Sequence, residues 1–185
     1  MGKLVPQVVN IIATRDENAL PDKIAWGMED ENGNELESLI FCKNDKGMKV
    51  TDHHLITFKL MQQEGLGLIF APDCDTAMWV NRGTANDIPS CPVTQPTRKN
   101  AVFHATASNG DTLTVLNKNP QKCFYKFSLN FVKPGSTDSS YLHRYDPIGD
   151  NRNGGSGSGF ETWAVLAGLG AVAALGYVAY LAFYR

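Results

Sequence analysis

Recognisable catalytic signatures are missing from this chain of 185 residues. It has no GxSxG, HExxH, P-loop or GxGxxG match, which removes the usual sequence support for hydrolase, zincin, phosphate-binding and dinucleotide-binding readings. Excess charge is absent too. Seventeen basic and 19 acidic residues leave a net charge of -2 with no basic stripe, so neither nucleic acid nor an anionic lipid surface is an expected partner of the head. The first residues, MGKLVPQVVNIIAT, carry no basic n-region, apolar h-region or small-residue cleavage pattern, so no secretory signal is expected. Pro6 stands where a myristoylation pattern wants Ser or Thr.

Metal ligands are equally sparse. Cys42, Cys74, Cys91 and Cys123 contain no CxxC pair and are too far apart for a zinc finger, although their even number admits three complete disulfide pairings. A bridge from Cys91, in a proline-rich loop, to Cys123, on an apolar strand face, is sterically conceivable. In a cytosolic head all four would stay reduced. His53 and His54 are adjacent and would point to opposite faces of a strand, which is wrong for two ligands of one metal, while His104 and His143 are isolated. Asp73, Asp75 and Asp87 fit no EF-hand spacing and read as turn caps. No catalytic, metal or cofactor residue set is therefore assigned, and the chain is not expected to be an enzyme.

What the chain does have is strand pattern. Segments rich in apolar or alternating residues recur at about ten-residue intervals: 8–14, 23–28, 38–43, 55–61, 66–71, 76–81, 101–106, 112–117, 123–133 and 141–145. In the best of them, Cys123, Tyr125, Phe127, Leu129 and Phe131 alternate with Lys126, Ser128 and Asn130, which predicts a strand with one buried face. Asn-Gly pairs in Glu31-Asn32-Gly33-Asn34 and Ser108-Asn109-Gly110-Asp111 predict tight hairpins. Residues 81–100, with Gly83, Pro89, Pro92 and Pro96, read as a long surface loop and a candidate contact surface. The expected fold is all-β, an antiparallel β-sandwich (immunoglobulin-like or related) over residues 1–150, with 1–50 a candidate N-terminal extension.

Residues 151–160 read as a Gly/Ser linker and 161–185 as a transmembrane helix. From Trp163 to Tyr184 there is no charged residue, Asn, Gln or Pro, and the 22 residues would rise roughly 33 Å as a helix, enough to span a bilayer core. Ten of the 22 are Ala or Gly. Ala164, Ala167, Ala171, Ala174, Val178 and Ala182 follow one helical face and would form a seam for close packing on another membrane helix. Trp163 at one end and Tyr180, Phe183 and Tyr184 at the other suit the interfacial belts. The span has no His, so it offers no imidazole to a haem or chlorin. Arg144 and Arg152 before the span, against Arg185 after it, favour a cytoplasmic over a periplasmic head.

The stretch from Leu113 to Gly155, with TLTVLNKN, CFYKFSLNFV and the ending YDPIGDNRNGG, resembles small β-sandwich domains of uncharacterised bacterial proteins that close on a similar Asp-Pro-Ile, Asn-rich ending. Trp79, Cys91 and Pro92 fit the same pattern, and the first 50 residues lie outside it. The resemblance implies a bacterial β domain and carries no activity. In architecture the chain is also similar to single-span accessory subunits of bacterial respiratory or photosynthetic membrane complexes. The sequence thus leads to a non-catalytic, single-pass, tail-anchored accessory subunit of a larger complex in the bacterial inner or intracytoplasmic membrane, without a cofactor of its own. A free membrane-tethered binding module is the alternative.

Overall fold

Eleven strands and one helical turn are present in a computed structural model that describes residues 2–16, 23–42, 47–49, 51–90, 93, 96–97, 102–120, 122–135 and 142–152. The chain divides into two units, Met1–Gly154 and Gly155–Arg185. The second lies wholly outside the described residues, and with it the transmembrane helix expected over 161–185. Among the described residues no helix is long and apolar enough to cross a membrane.

In the first unit, β1 (Leu4–Arg15), β2 (Ile24–Asp30), β4 (His53–Gln62), β7 (Phe103–Asn109) and β8 (Thr112–Asn117) form one sheet in the order β2-β1-β4-β8-β7. A second sheet holds β3 (Leu39–Cys42), β5 (Ile69–Phe70), β6 (Met78–Arg82), β9 (Cys123–Val132), β10 (His143–Tyr145) and β11 (Ile148–Arg152). Its spine is β9. Residues 125–129 of β9 pair with β6 and 131–132 with β5, while 123–126 pair with β11 and 129–131 with β10. β3 then adds outside β11.

The all-β expectation holds, but the sheets are mixed where an antiparallel sandwich was expected. β1 runs parallel to β4 from Leu4↔His53 to Ala13↔Gln62, and β3 runs parallel to β11. Alternation of apolar residues sets which face of a strand is buried, whereas direction depends on distant connections, so the sequence pattern could not supply it. Residues 1–50 also contribute β1, β2 and β3, and β1 is interior to its sheet. β11 reaches Arg152, so the head takes in the first two positions assigned to the linker.

Inward side chains of both sheets share one core that includes Val9, Ile11, Ile56, Phe58, Leu113, Val115, Tyr125, Phe127 and Phe131. Burying each of the large ones contributes about 1.5–3 kcal/mol. Trp26 of β2 stacks on Phe131 at 4.6 Å and on Tyr145 at 5.8 Å, and Phe70 packs on Phe131 at 4.6 Å. Gly149 passes over the Phe127 ring, where a Cβ would come within 2.5 Å of ring carbon. β9 departs from the one-sided burial expected of it, because Ser128 and Asn130 are buried as well. α1 (Cys74–Ala77) explains part of this: the Thr76 carbonyl accepts from Asn130 Nδ2 at 2.6 Å, and Ser128 Oγ bonds Asn130 Oδ1 at 2.9 Å.

Candidate functional site

The loop after β6 is built, not slack. Gly83 N–H donates to the Phe124 carbonyl at 2.9 Å and Phe124 N–H donates to the Thr84 carbonyl at 3.1 Å, so the loop continues the ladder on β9. Thr84 N–H then donates to the Asp87 carbonyl at 3.0 Å and closes a turn. A Cβ at position 83 would strike the Asp87 carbonyl and the Pro89 ring, so this turn needs glycine. Asn81 Nδ2 holds the Ser90 carbonyl at 3.4 Å. The result is an open groove of about 580 Å³ lined by Asn81, Arg82, Thr84, Asp87, Ile88 and Ser90.

Arg82 is the cation of this groove. Its Nε lies 3.4 Å from Cys123 Sγ, and that contact raises the guanidinium above its ordinary value. The Cys123 thiol is free, 1% exposed and directed to the Gly83 carbonyl at 3.2 Å, so it is a packing contact beneath the groove instead of an accessible nucleophile. Burial, with Cys123 beside it, pushes the Tyr125 phenol up and keeps it neutral. Cys91, the partner considered for Cys123, lies outside the described residues. Chemically the groove presents the Arg82 guanidinium and the acidic Asp87 with hydroxyls and carbonyls around the exposed Ile88, a surface of mixed charge suited to holding a polar group.

Residues 96–97 fasten the far part of the same loop. Pro96 bridges to Trp79, and Thr97 Oγ1 accepts from Ala105 N–H at 3.4 Å. The Trp79 indole donates to the Asp75 carbonyl at 2.9 Å, and the Arg144 guanidinium lies 4.7 Å from the ring centroid.

Other candidate residues among the described ones take structural places. Asp73 caps α1, accepting from Thr76 N–H at 3.1 Å and Thr76 Oγ1 at 2.9 Å. His53 Nδ1 is 3.4 Å from the Lys118 carbonyl, whereas His54 is buried edge-on to Phe41 at 5.4 Å, so the adjacent pair does face opposite ways. Burial, and then Lys118, lowers His104 and favours its neutral form. Among the described residues no group of three or more His, Cys, Asp or Glu is arranged to hold a metal ion.

Sequence reasoning missed the buried asparagine cluster. Asn117 Nδ2 donates to Asn151 Oδ1 at 2.9 Å, Asn151 Nδ2 returns to Asn117 Oδ1 at 3.3 Å, and that same Oδ1 accepts from Asn119 N–H at 2.9 Å. Asn119, at φ 40°, donates through Nδ2 to the Phe41 carbonyl at 2.9 Å. One polar knot thus joins β8 in one sheet to β3 and β11 in the other. Its only sequence signal was the recurrence of Asn in TLTVLNKN and GDNRN, which lie in two of the three segments that carry the resemblance.

The seam residues Ala164, Ala167, Ala171, Ala174, Val178 and Ala182 and the aromatics Trp163, Tyr180, Phe183 and Tyr184 lie outside the described residues. Comparison with known proteins matches no family model and no curated protein.

Proposed function

We propose that the chain is a non-catalytic, membrane-anchored accessory subunit of a larger bacterial membrane complex, with no cofactor of its own. The observation that carries this reading is the run Trp163–Tyr184, long enough to span and rich in Ala and Gly along one face. The span packs on neighbouring membrane helices, and the head contacts the soluble face of the same complex from the cytoplasmic side. We read the two sheets of the head as a β-sandwich related to the immunoglobulin-like kind, with the parallel β1–β4 and β3–β11 pairings as its departures.

Gentle detergent extraction followed by native-size analysis tests the assignment. The chain should migrate with partner subunits, and migration as an isolated 20.3 kDa chain in its micelle would sink the reading. Ala167→Leu with Ala171→Leu should weaken co-purification if the small-residue seam is the contact. Protease access to the head in vesicles of known orientation checks the side.

A second reading, a free tethered binding module, is favoured by the groove that Gly83 shapes beside Arg82. Under that reading the chain runs alone in its micelle and Arg82→Ala abolishes ligand binding.

A further inference from the structure

On the side of the head away from Arg82, two strand edges stand open beside each other among the described residues. β2 pairs with β1 only from Val9 onward, so residues 4–8 of β1 pair with β4 alone among the described residues. The Lys3 carbonyl accepts from His53 N–H and the Ala13 carbonyl from Gln63 N–H, so odd-numbered positions of β1 bond towards β4 and Leu4, Pro6 and Val8 face the open edge. Pro6 withholds a donor there, which blunts this edge against further pairing.

The facing edge has no such guard. Phe127 N–H donates to the Pro147 carbonyl, which directs odd positions of β11 to β9 and Asp150 to β3. In a parallel ladder the residue aligned with Asp150, which is Ile40, then turns its own N–H and C=O outward. Among the described residues no strand pairs with that edge, and the Ile40 side chain is 46% exposed.

Between the two edges lies a groove of about 290 Å³ whose lining includes Pro6, Gln7, Asp30, Glu31, Ser38 and Ile40. Gln7 Oε1 is buried in it without a hydrogen-bond partner. The rim is strongly acidic: residues 29–37 hold Glu29, Asp30, Glu31, Glu35 and Glu37 and no Lys or Arg. Asp30 Oδ1 accepts from Asn32 and Asn34 N–H at 2.8 and 2.9 Å, which fixes the shape of the rim.

We propose that this groove docks an extended, Lys- or Arg-bearing segment of a partner protein, which adds as a strand along the open edge of β3 and sets its cations against the 29–37 carboxylates. Main-chain pairing to Ile40 supplies the register, and the acidic rim selects the charge. The inference rests on the head being a contact module and names what it contacts.

The test uses the full-length chain in mild detergent and a labelled peptide of alternating lysine and valine, with an alternating glutamate and valine peptide as control. Binding of the basic peptide alone, weakening as salt rises, is expected. Ile40→Pro removes an outward donor without touching the ladder to β11, and Glu31→Lys with Glu37→Lys reverses charge at exposed positions. Each should weaken binding about tenfold or more. Equal binding of both peptides, or unchanged binding by the charge-reversed variant, overturns the proposal. So does concentration-dependent self-association abolished by Ile40→Pro, which would give the edge to a second copy. Co-purification of the complex is read separately, so loss of peptide binding with an intact complex sinks this inference and leaves the subunit assignment standing.

Discussion

Replacing Asn117 with alanine is expected to cost more than the bonds it deletes. Asn117 is 0% exposed, as are Asn151 and Asn119. Truncation strands three buried groups at once: Asn151 Oδ1 loses its donor, Asn151 Nδ2 loses its acceptor, and Asn119 N–H loses the oxygen that holds its left-handed turn. At about 1–3 kcal/mol for an unsatisfied buried group, with partial relaxation, the loss should total about 3–5 kcal/mol. For a head of this size that lowers Tm by about 10 °C. Removing Asn151 as well takes away two of the stranded groups, so Asn117→Ala/Asn151→Ala should be less destabilised than the sum of the single variants by about 2 kcal/mol. Urea unfolding of the full-length chain in mild detergent provides the readout, because Trp26 fluorescence reports the stack on Phe131 and Tyr145. Additivity within about 0.5 kcal/mol, or a single-variant loss below about 1 kcal/mol, would refute the reasoning.

Gly149→Ala should cost about 1–3 kcal/mol by driving a Cβ into Phe127, and a denaturation midpoint equal to the parent's would show that the ring yields freely. Gly83→Ala should reshape the groove while leaving the core intact, seen as altered amide shifts confined to residues 81–90 and the bonded Cys123–Phe124 segment of β9; a global loss of stability would count against the loop being separable. Burial, and then Glu35, pushes Tyr145 up to about 12 from the ordinary 10.0, so folding favours the protonated phenol. That contribution is complete below pH 10 and is lost as pH rises towards 12. Tyr145→Phe should flatten this part of the stability curve, and superimposable curves would rule the assignment out.

Much of the head was legible because strand faces are written locally. The segment 112–117 is a strand with the expected bounds, and Gly110 takes φ 59° in the hairpin that Asn109-Gly110 predicts. Asp73 caps a turn, as its spacing suggested, although α1 itself is too short to leave a period. Illegible were the features that depend on residues far apart. The parallel partners of β1 and β3 arrive from distant parts of the chain, and β11 left no strand pattern, its last two residues falling in the expected linker, because Gly149, Asp150 and Asn151 are poor strand formers held in place by β9 and the asparagine knot. The groove beside Arg82 was foreseen only as a loop, since no local pattern says that position 83 must pass against Asp87 and Pro89.

The pairing of β3 with β11 brings together residues more than a hundred positions apart in sequence, Leu39 beside Gly149 and Cys42 beside Arg152. Closing so long a loop is slow, so this side of the head should be the last to form and the first to open, with β3 waiting for a strand made near the other end of the domain. Any shortened version that stops before Ile148 would remove β11, leave β3 without its partner and lose the asparagine knot as well. A segment without strand pattern in the sequence, running into the expected linker, is therefore the clasp that completes the fold.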